Sequence, residues 1–224
     1  LCADAVTVTN ETLRRRALRV GVKSENMFVI PNGADVDSIK PLNMCDAREK
    51  LDLPKESIIY GHFGHLDIES FKLVVKAHKE VVRHFPSALL LLFRLSQDLL
   101  NKLSEDFVES LESENVIFIG WQPVDKYVLY LNASNVLLLP MHDNLFNRAR
   151  CPLRLGDYLA VGRPIVATAL PEIKKVVNEC GLLARPGDPV DFADKILNIV
   201  RDPDLCKQMG KRARELAETK YSWR

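Results

Sequence analysis

Short apolar runs alternate with longer segments of helical period along most of this chain, a pattern that fits a parallel β-sheet covered by helices and few other architectures. Six runs read as strands: Met27 to Ile30, Ile58 to Phe63, Ala88 to Phe93, Val116 to Ile119, Val136 to Leu139 and Ile165 to Ala167. Apart from His62 they are continuously non-polar or nearly so, as strands buried on both faces should be. Between them lie the helical segments Phe71 to Phe85, Gln97 to Leu111, Val124 to Ala133, Leu153 to Val161 and Glu172 to Asn178. After Gly181-Leu-Leu-Ala come two more, Val190 to Arg201 and Asp204 to Lys220. The expected fold class is α/β, a doubly wound parallel sheet of about six strands with helices on both faces.

Composition narrows the function classes. The chain has 31 Lys plus Arg against 30 Asp plus Glu, so its net charge of +1 gives no general attraction to nucleic acid or to an anionic membrane. No basic and aromatic interleaving suggests a nucleic-acid surface either. The longest apolar run, Ala88 to Phe93, is far shorter than the ~20 residues of a bilayer span. Leu1 to Asn10 lack the basic start and apolar stretch of a secretory signal, and the N-terminus reads as a cut. Cys2, Cys45, Cys151, Cys180 and Cys206 are odd in number and form no C-x-x-C pair, so reduced thiols in a cytoplasmic protein are expected.

Ligands of open parallel sheets bind beyond the carboxyl ends of the strands, so a site is expected among the segments after Phe63, Ile119, Leu139 and Ala167. The densest stretch runs from Asn147 through Arg148, Arg150, Cys151, Pro152, Arg154 and Asp157. Pro152 suits the first turn of a helix, so Arg148, Arg150 and Arg154 crowd a helix N-terminus, where the dipole disfavours cations. Two readings are open. In one the arginines pair with Asp143, Asp157 and solvent, Arg154 and Asp157 having the i, i+3 spacing. In the other they seat a diphosphate, whose oxygens match guanidinium forks, while Asp157 accepts from ribose hydroxyls. On the second reading Arg154→Ala should weaken diphosphate binding and leave stability unchanged or slightly raised, since a cation leaves the positive helix end.

Other segments carry less. Gly61-His-Phe-Gly-His-Leu ends a strand, and Gly64 would let backbone approach a ligand closely. His62 and His65 could lie together, but no third ligand at a recognisable spacing accompanies them, so no metal is expected. Pro31-Asn-Gly-Ala-Asp reads as a tight turn in which Asn-Gly tolerates positive φ. Trp121, Tyr127, Tyr130 and Tyr158 read as core or cleft wall. Cys151, beside two arginines at a helix start, could have a depressed pKa, yet no base stands at a recognisable position. No catalytic residue is assigned.

Ala3-Asp-Ala-Val-Thr-Val-Thr-Asn, Val29-Ile-Pro-Asn-Gly-Ala-Asp, Ile119-Gly-Trp, Asn135-Val-Leu-Leu-Leu-Pro, Pro152 through Gly162-Arg-Pro-Ile-Val-Ala-Thr and Gly181-Leu-Leu-Ala-Arg-Pro-Gly-Asp succeed one another in this order. The series resembles the retaining glycosyltransferases of the GT-B fold, family four, over nearly the whole chain. The resemblance implies two facing Rossmann-like domains, the C-terminal one holding a nucleotide-diphosphate sugar and the N-terminal one most of the acceptor. Residues 1–24 would then be the last strand and helix of the N-terminal domain with the linker. Residues 25–224 would be the donor-binding domain, with Tyr221-Ser-Trp where the chain turns back to its missing partner domain.

The family usually has two glutamates eight positions apart, the first on the sugar and the second on the ribose. Aligned on Pro152 to Pro164, the second falls on Asp157 and the first on Ala149. A diphosphate-binding Arg and Lys fall on His65 and Ser70, with Lys72 nearby. The donor-site residues so implied are Gly64, His65, Lys72, Asn147, Arg148, Arg150, Arg154 and Asp157, binding a UDP- or GDP-sugar with no cofactor or metal required. The implied function is the donor half of a glycosyltransferase, inactive alone, in the cytoplasm, with peripheral membrane association at the inner face allowed for the full-length protein. The absent Glu at Ala149 and absent Arg at His65 support an alternative, a non-catalytic protein of the same fold with a degenerate donor site.

Overall fold

The computed structural model describes residues 3–95 and 115–223. A small parallel sheet pairs β1 (Val6–Val8) with β2 (Met27–Val29), and helix α1 (Glu11–Arg19) lies between them in the chain. The main sheet is built from β3 (Ile59–Phe63), β4 (Leu89–Phe93), β5 (Val116–Ile119), β6 (Val136–Leu139), β7 (Ile165–Thr168) and β8 (Gly181–Ala184). Their order is β5-β4-β3-β6-β7-β8, and every pairing is parallel. Strand order reverses between β3 and β6, so the crevice beyond their carboxyl ends is the switch point at which such sheets bind ligands.

Both faces of the sheet are buried, as the continuous apolar runs require. Leu137 and Leu139 of β6 pack with Phe63, Leu91 and Tyr158 on one face. Val136 and Leu138 pack with Tyr60, Phe71, Val74 and Phe192 on the other. Each fully buried Leu or Phe in these layers contributes ~1.5–3 kcal/mol relative to exposure.

The six-strand count holds, but the sixth strand is not Met27 to Ile30. That run belongs to the small sheet, where Phe28, Val29 and Ile30 are exposed. The sixth strand is β8, at the edge beside β7. Its two middle leucines are half-buried, and four residues without a β-branched side chain carry no strand signal.

Most helices fall where periodicity puts them. Helix α3 (Ile68–His84) starts earlier than Phe71 because Asp67 caps it, accepting from Ser70 N–H at 2.9 Å. Helix α4 (Val124–Ala133) matches the expected span. Two short helices are additions to the sequence-based expectation: α2 (Met44–Lys50), capped by Asn43, and α5 (Leu145–Arg148), capped by Asn144. The helix expected over Gln97 to Leu111 lies outside the described residues.

The turn at Pro31 to Asp35 has a different reason from the one its Asn-Gly suggests. Neither Asn32 nor Gly33 has positive φ. Instead the C-terminal segment docks on it, with Ala34 N–H bonded to Tyr221 O at 2.8 Å and Trp223 N–H to Ala34 O at 3.1 Å. A Cβ on Gly33 would lie 2.9 Å from the Ser222 carbonyl carbon, so close backbone approach demands the glycine.

Candidate functional site

The segment after β3 and the segment after β6 meet at the switch point. Here α6 (Leu153–Ala160) begins after Pro152, and a small crevice is lined by residues including His65, Asp67, Ser70, Asn147, Arg150 and Arg154. Ser70 ties the two segments together, its hydroxyl donating to Asp67 Oδ2 at 2.9 Å and accepting from His142 N–H at 3.0 Å. Asn147 is buried, and its amide donates to His142 O at 2.8 Å.

The three arginines separate. Arg148 turns to the surface and forms a two-point pair with Asp143, at 2.5 and 2.8 Å, as the pairing reading has it. Arg150 is half-buried over the Phe146 ring, 5.5 Å from its centroid. Arg154 reaches back across the crevice, donating to His62 Nε2 and, at 3.0 Å, to the His65 carbonyl. Asp157 does not take up Arg154 at i, i+3; it accepts from the Tyr127 hydroxyl at 3.1 Å. Lys72 pairs with Glu69 at 3.1 Å and lines the neighbouring depression with Lys76 and His142 rather than the crevice.

His62 fixes the arginine, and its tautomer is set by its partners. Its Nδ1 lies 3.0 Å from the Leu138 carbonyl, which can only accept, so Nδ1 carries the proton. Nε2 is then the lone pair that Arg154 meets. Burial, and after it the Arg154 charge, lowers the imidazole pKa to about 3, so the ring is neutral at physiological pH. Gly64 completes the seat, with φ of +141° and the Arg154 guanidinium packed where a Cβ would otherwise lie.

Below this layer, Phe63, Phe93, Tyr127 and Tyr158 form an aromatic group. Tyr158 accepts from Phe63 N–H at 2.9 Å and donates to Leu138 O at 3.3 Å, closing the backbone groups where β3 and β6 diverge. The expectation of a depressed Cys151 pKa is overturned. Burial, then Glu172, pushes that thiol up to about 11, because the neighbouring arginines point elsewhere. Among the described residues no three His, Cys, Asp or Glu could hold a metal.

Residues of the N-terminal segment also reach the site loop. Asn10 donates to Ala149 O at 2.7 Å, Thr12 N–H to Glu172 Oε1 at 3.1 Å, and Asn32 to Cys151 O at 3.0 Å. Sequence reasoning misses these ties and the roles of His62 and Tyr127. The alternation of His62 with Phe63 along a strand is the available signal that the two side chains lie on opposite faces of the sheet, both of them buried.

Burial raises the Asp157 pKa to about 6, against the opposing effects of the Tyr127 hydrogen bond and the Arg154 charge. The folded chain therefore holds a proton that the unfolded chain has lost between pH ~4 and 6. The resulting stability is fully present below that window and lost as pH rises through about 6. Asp157→Asn is expected to raise the thermal midpoint more at pH 7.5 than at pH 4.5. Parallel midpoint-versus-pH curves for the two proteins would contradict the perturbed carboxyl.

The sequence model of the glycosyl transferases group 1 matches residues 56–202, the stretch that contains β3 through β8 and the crevice. The chain belongs to this family. Among its relatives, the D-inositol 3-phosphate glycosyltransferase of Nocardia farcinica is 26% identical over 220 residues, covering 93% of this chain and 47% of that protein. The capsular polysaccharide biosynthesis glycosyltransferase CapM of Staphylococcus aureus is 24% identical, covering 99% of this chain and 58% of that protein. The chain spans about half the length of the curated relatives it matches.

Solved structures agree on the fold. Sucrose-phosphate synthase of Thermosynechococcus elongatus superposes with a TM-score of 0.75 at 25% identity, over 99% of this chain and 55% of that one. HepE of Anabaena, solved with UDP and glucose, gives 0.79 at 18%, over 98% and 60%. The C-terminal domain of a group 1 transferase from Francisella tularensis gives 0.71 at 20% and is covered completely, along 86% of this chain. The six-stranded unit is the Rossmann-like half of a GT-B fold.

Proposed function

We propose that this chain is the donor-binding half of a glycosyltransferase that moves a sugar from a UDP- or GDP-sugar to an acceptor. The observation that carries the reading is Arg154 at the strand-order reversal. Neutral His62 and the His65 carbonyl hold this guanidinium beside Gly64 at a helix start, and Arg150 lines the same crevice. Guanidinium groups so held suit a diphosphate, and no divalent ion is needed in principle to offset its charge. Asp157 with Tyr127 suits the ribose hydroxyls. Relatives about twice as long support a further domain that holds the acceptor, with residues 1–24 as its last strand and helix. The free thiols of Cys45, Cys151, Cys180 and Cys206 are consistent with a cytoplasmic setting.

Calorimetric titration with UDP, GDP and ADP, with and without magnesium, tests the reading. UDP or GDP is expected to bind without the metal. Failure of all three at millimolar concentration would favour a degenerate site, the outcome to which Ala149 points. The chain alone is expected to release no nucleotide from a donor sugar in the presence of acceptors. Robust transfer by the 224-residue chain would overturn the two-domain requirement.

A further inference from the structure

Beside the crevice lies a second cavity of about 440 Å³, walled by Leu13, Leu145, Phe146 and Ala149 with Arg16 and Arg150 among its lining. Arg150 lines both spaces, so the cavity opens directly next to the proposed diphosphate seat. In a nucleotide-diphosphate sugar the glycosyl group is bonded to the second phosphate. With the ribose at Asp157 and the diphosphate at Arg154, the space adjoining Arg150 is where that group would lie. Its placement there rests on the donor reading of the crevice.

The lining chemistry is unusual for a neutral hexose, whose hydroxyls call for acceptors as well as donors. The Thr9 hydroxyl is the one side-chain oxygen in the lining; no carboxylate or side-chain amide joins it, and a guanidinium can only donate. Among the described residues neither Arg16 nor Arg150 forms an ion pair with a carboxylate. Asp67, the acid nearest in effect to Arg150, already accepts from Ser70 N–H and hydroxyl. Glu172, close to Cys151, is bound by Thr12 and Lys175. Two forks without an ion-pair partner beside an apolar wall match a planar carboxylate, which pairs with arginine in two-point fashion.

We infer that the donor's glycosyl group carries a carboxylate, as in a uronate, which the cavity between Arg16 and Arg150 receives. The exposed side chains of Phe146 and Leu145 supply apolar surface for the C–H face of the sugar.

The test compares UDP-glucuronate with UDP-glucose, and GDP-mannuronate with GDP-mannose, by calorimetry on the chain, alongside UDP and GDP alone. The uronate is expected to bind about tenfold more tightly than its neutral counterpart, the scale of one charge-assisted hydrogen bond. Arg16→Gln should shrink that ratio and leave UDP or GDP affinity unchanged. Ala149→Glu, which sets a carboxylate into the cavity wall, should reverse the preference, with thermal unfolding used to show that the variant is folded. Equal or weaker uronate binding while UDP or GDP still binds overturns the inference and leaves the donor reading standing. Absence of any nucleotide binding overturns both.

Discussion

Arg154→Ala is expected to weaken UDP or GDP binding by about 1.5–3 kcal/mol, the range for hydrogen bonds to charged groups, while affinity for the bare nucleoside changes little. Binding to the parent chain should also fall with added salt. On sequence alone this substitution leaves stability unchanged or raised, because a cation leaves the positive end of a helix. The structure changes that sign. Arg154 donates to the lone pair of His62, a residue only 1% exposed, and alanine leaves that buried acceptor unsatisfied. An unmet buried group costs about 1–3 kcal/mol, more than the ~0.3–1 kcal/mol recovered at the helix end. A net loss of about 1 kcal/mol in urea unfolding is therefore expected. If stability falls and diphosphate affinity stays within about twofold, Arg154 is a structural staple and the phosphate seat is lost as a hypothesis.

Gly64→Ala should approach that loss of affinity without replacing a charged group. A Cβ there would sit 2.8 Å from Arg154 Cζ and 3.0 Å from its Nε and Nη2. The guanidinium is the end of a flexible side chain and can yield, so it leaves its seat and diphosphate binding falls at least about tenfold. The backbone cannot yield in the same way. At φ of +141° an L side chain is strained, at a cost of about 1–3 kcal/mol in stability. These two consequences separate in a double-mutant cycle with Arg154→Ala. The binding losses should be strongly non-additive, because both act on one guanidinium, whereas the φ penalty should persist in the double variant. Additive binding losses would show that Gly64 does not act through Arg154.

Both predictions start from residues that stand out in the sequence, yet the reason for each lies elsewhere. Arg154 is legible as a cation at a helix start, and Gly64 as a glycine at a strand end. His62 reads as one of two histidines short of a metal ligand set. Its work as a neutral acceptor depends on Leu138 O and Arg154, which are 76 and 92 residues away along the chain. The same holds for Asp157, whose obvious partner by spacing is Arg154 at i, i+3, whereas Tyr127, 30 residues earlier, occupies it.

The layered α/β class, five of the six main strands, most helices and the two loops that form the crevice are all written in the order of residues. Local periodicity, turn chemistry and burial on both strand faces produce them, and neighbouring residues encode all three. Packing in three dimensions set the rest. It paired Met27–Val29 with Val6–Val8 and placed Gly181–Ala184 at the sheet edge. It also turned Arg148 to Asp143 and Arg154 to His62, and made burial rather than the arginines govern Cys151. Strand partners, hydrogen-bond partners and desolvation depend on what packs across space, and a one-dimensional pattern specifies how much of a segment is buried but not against what.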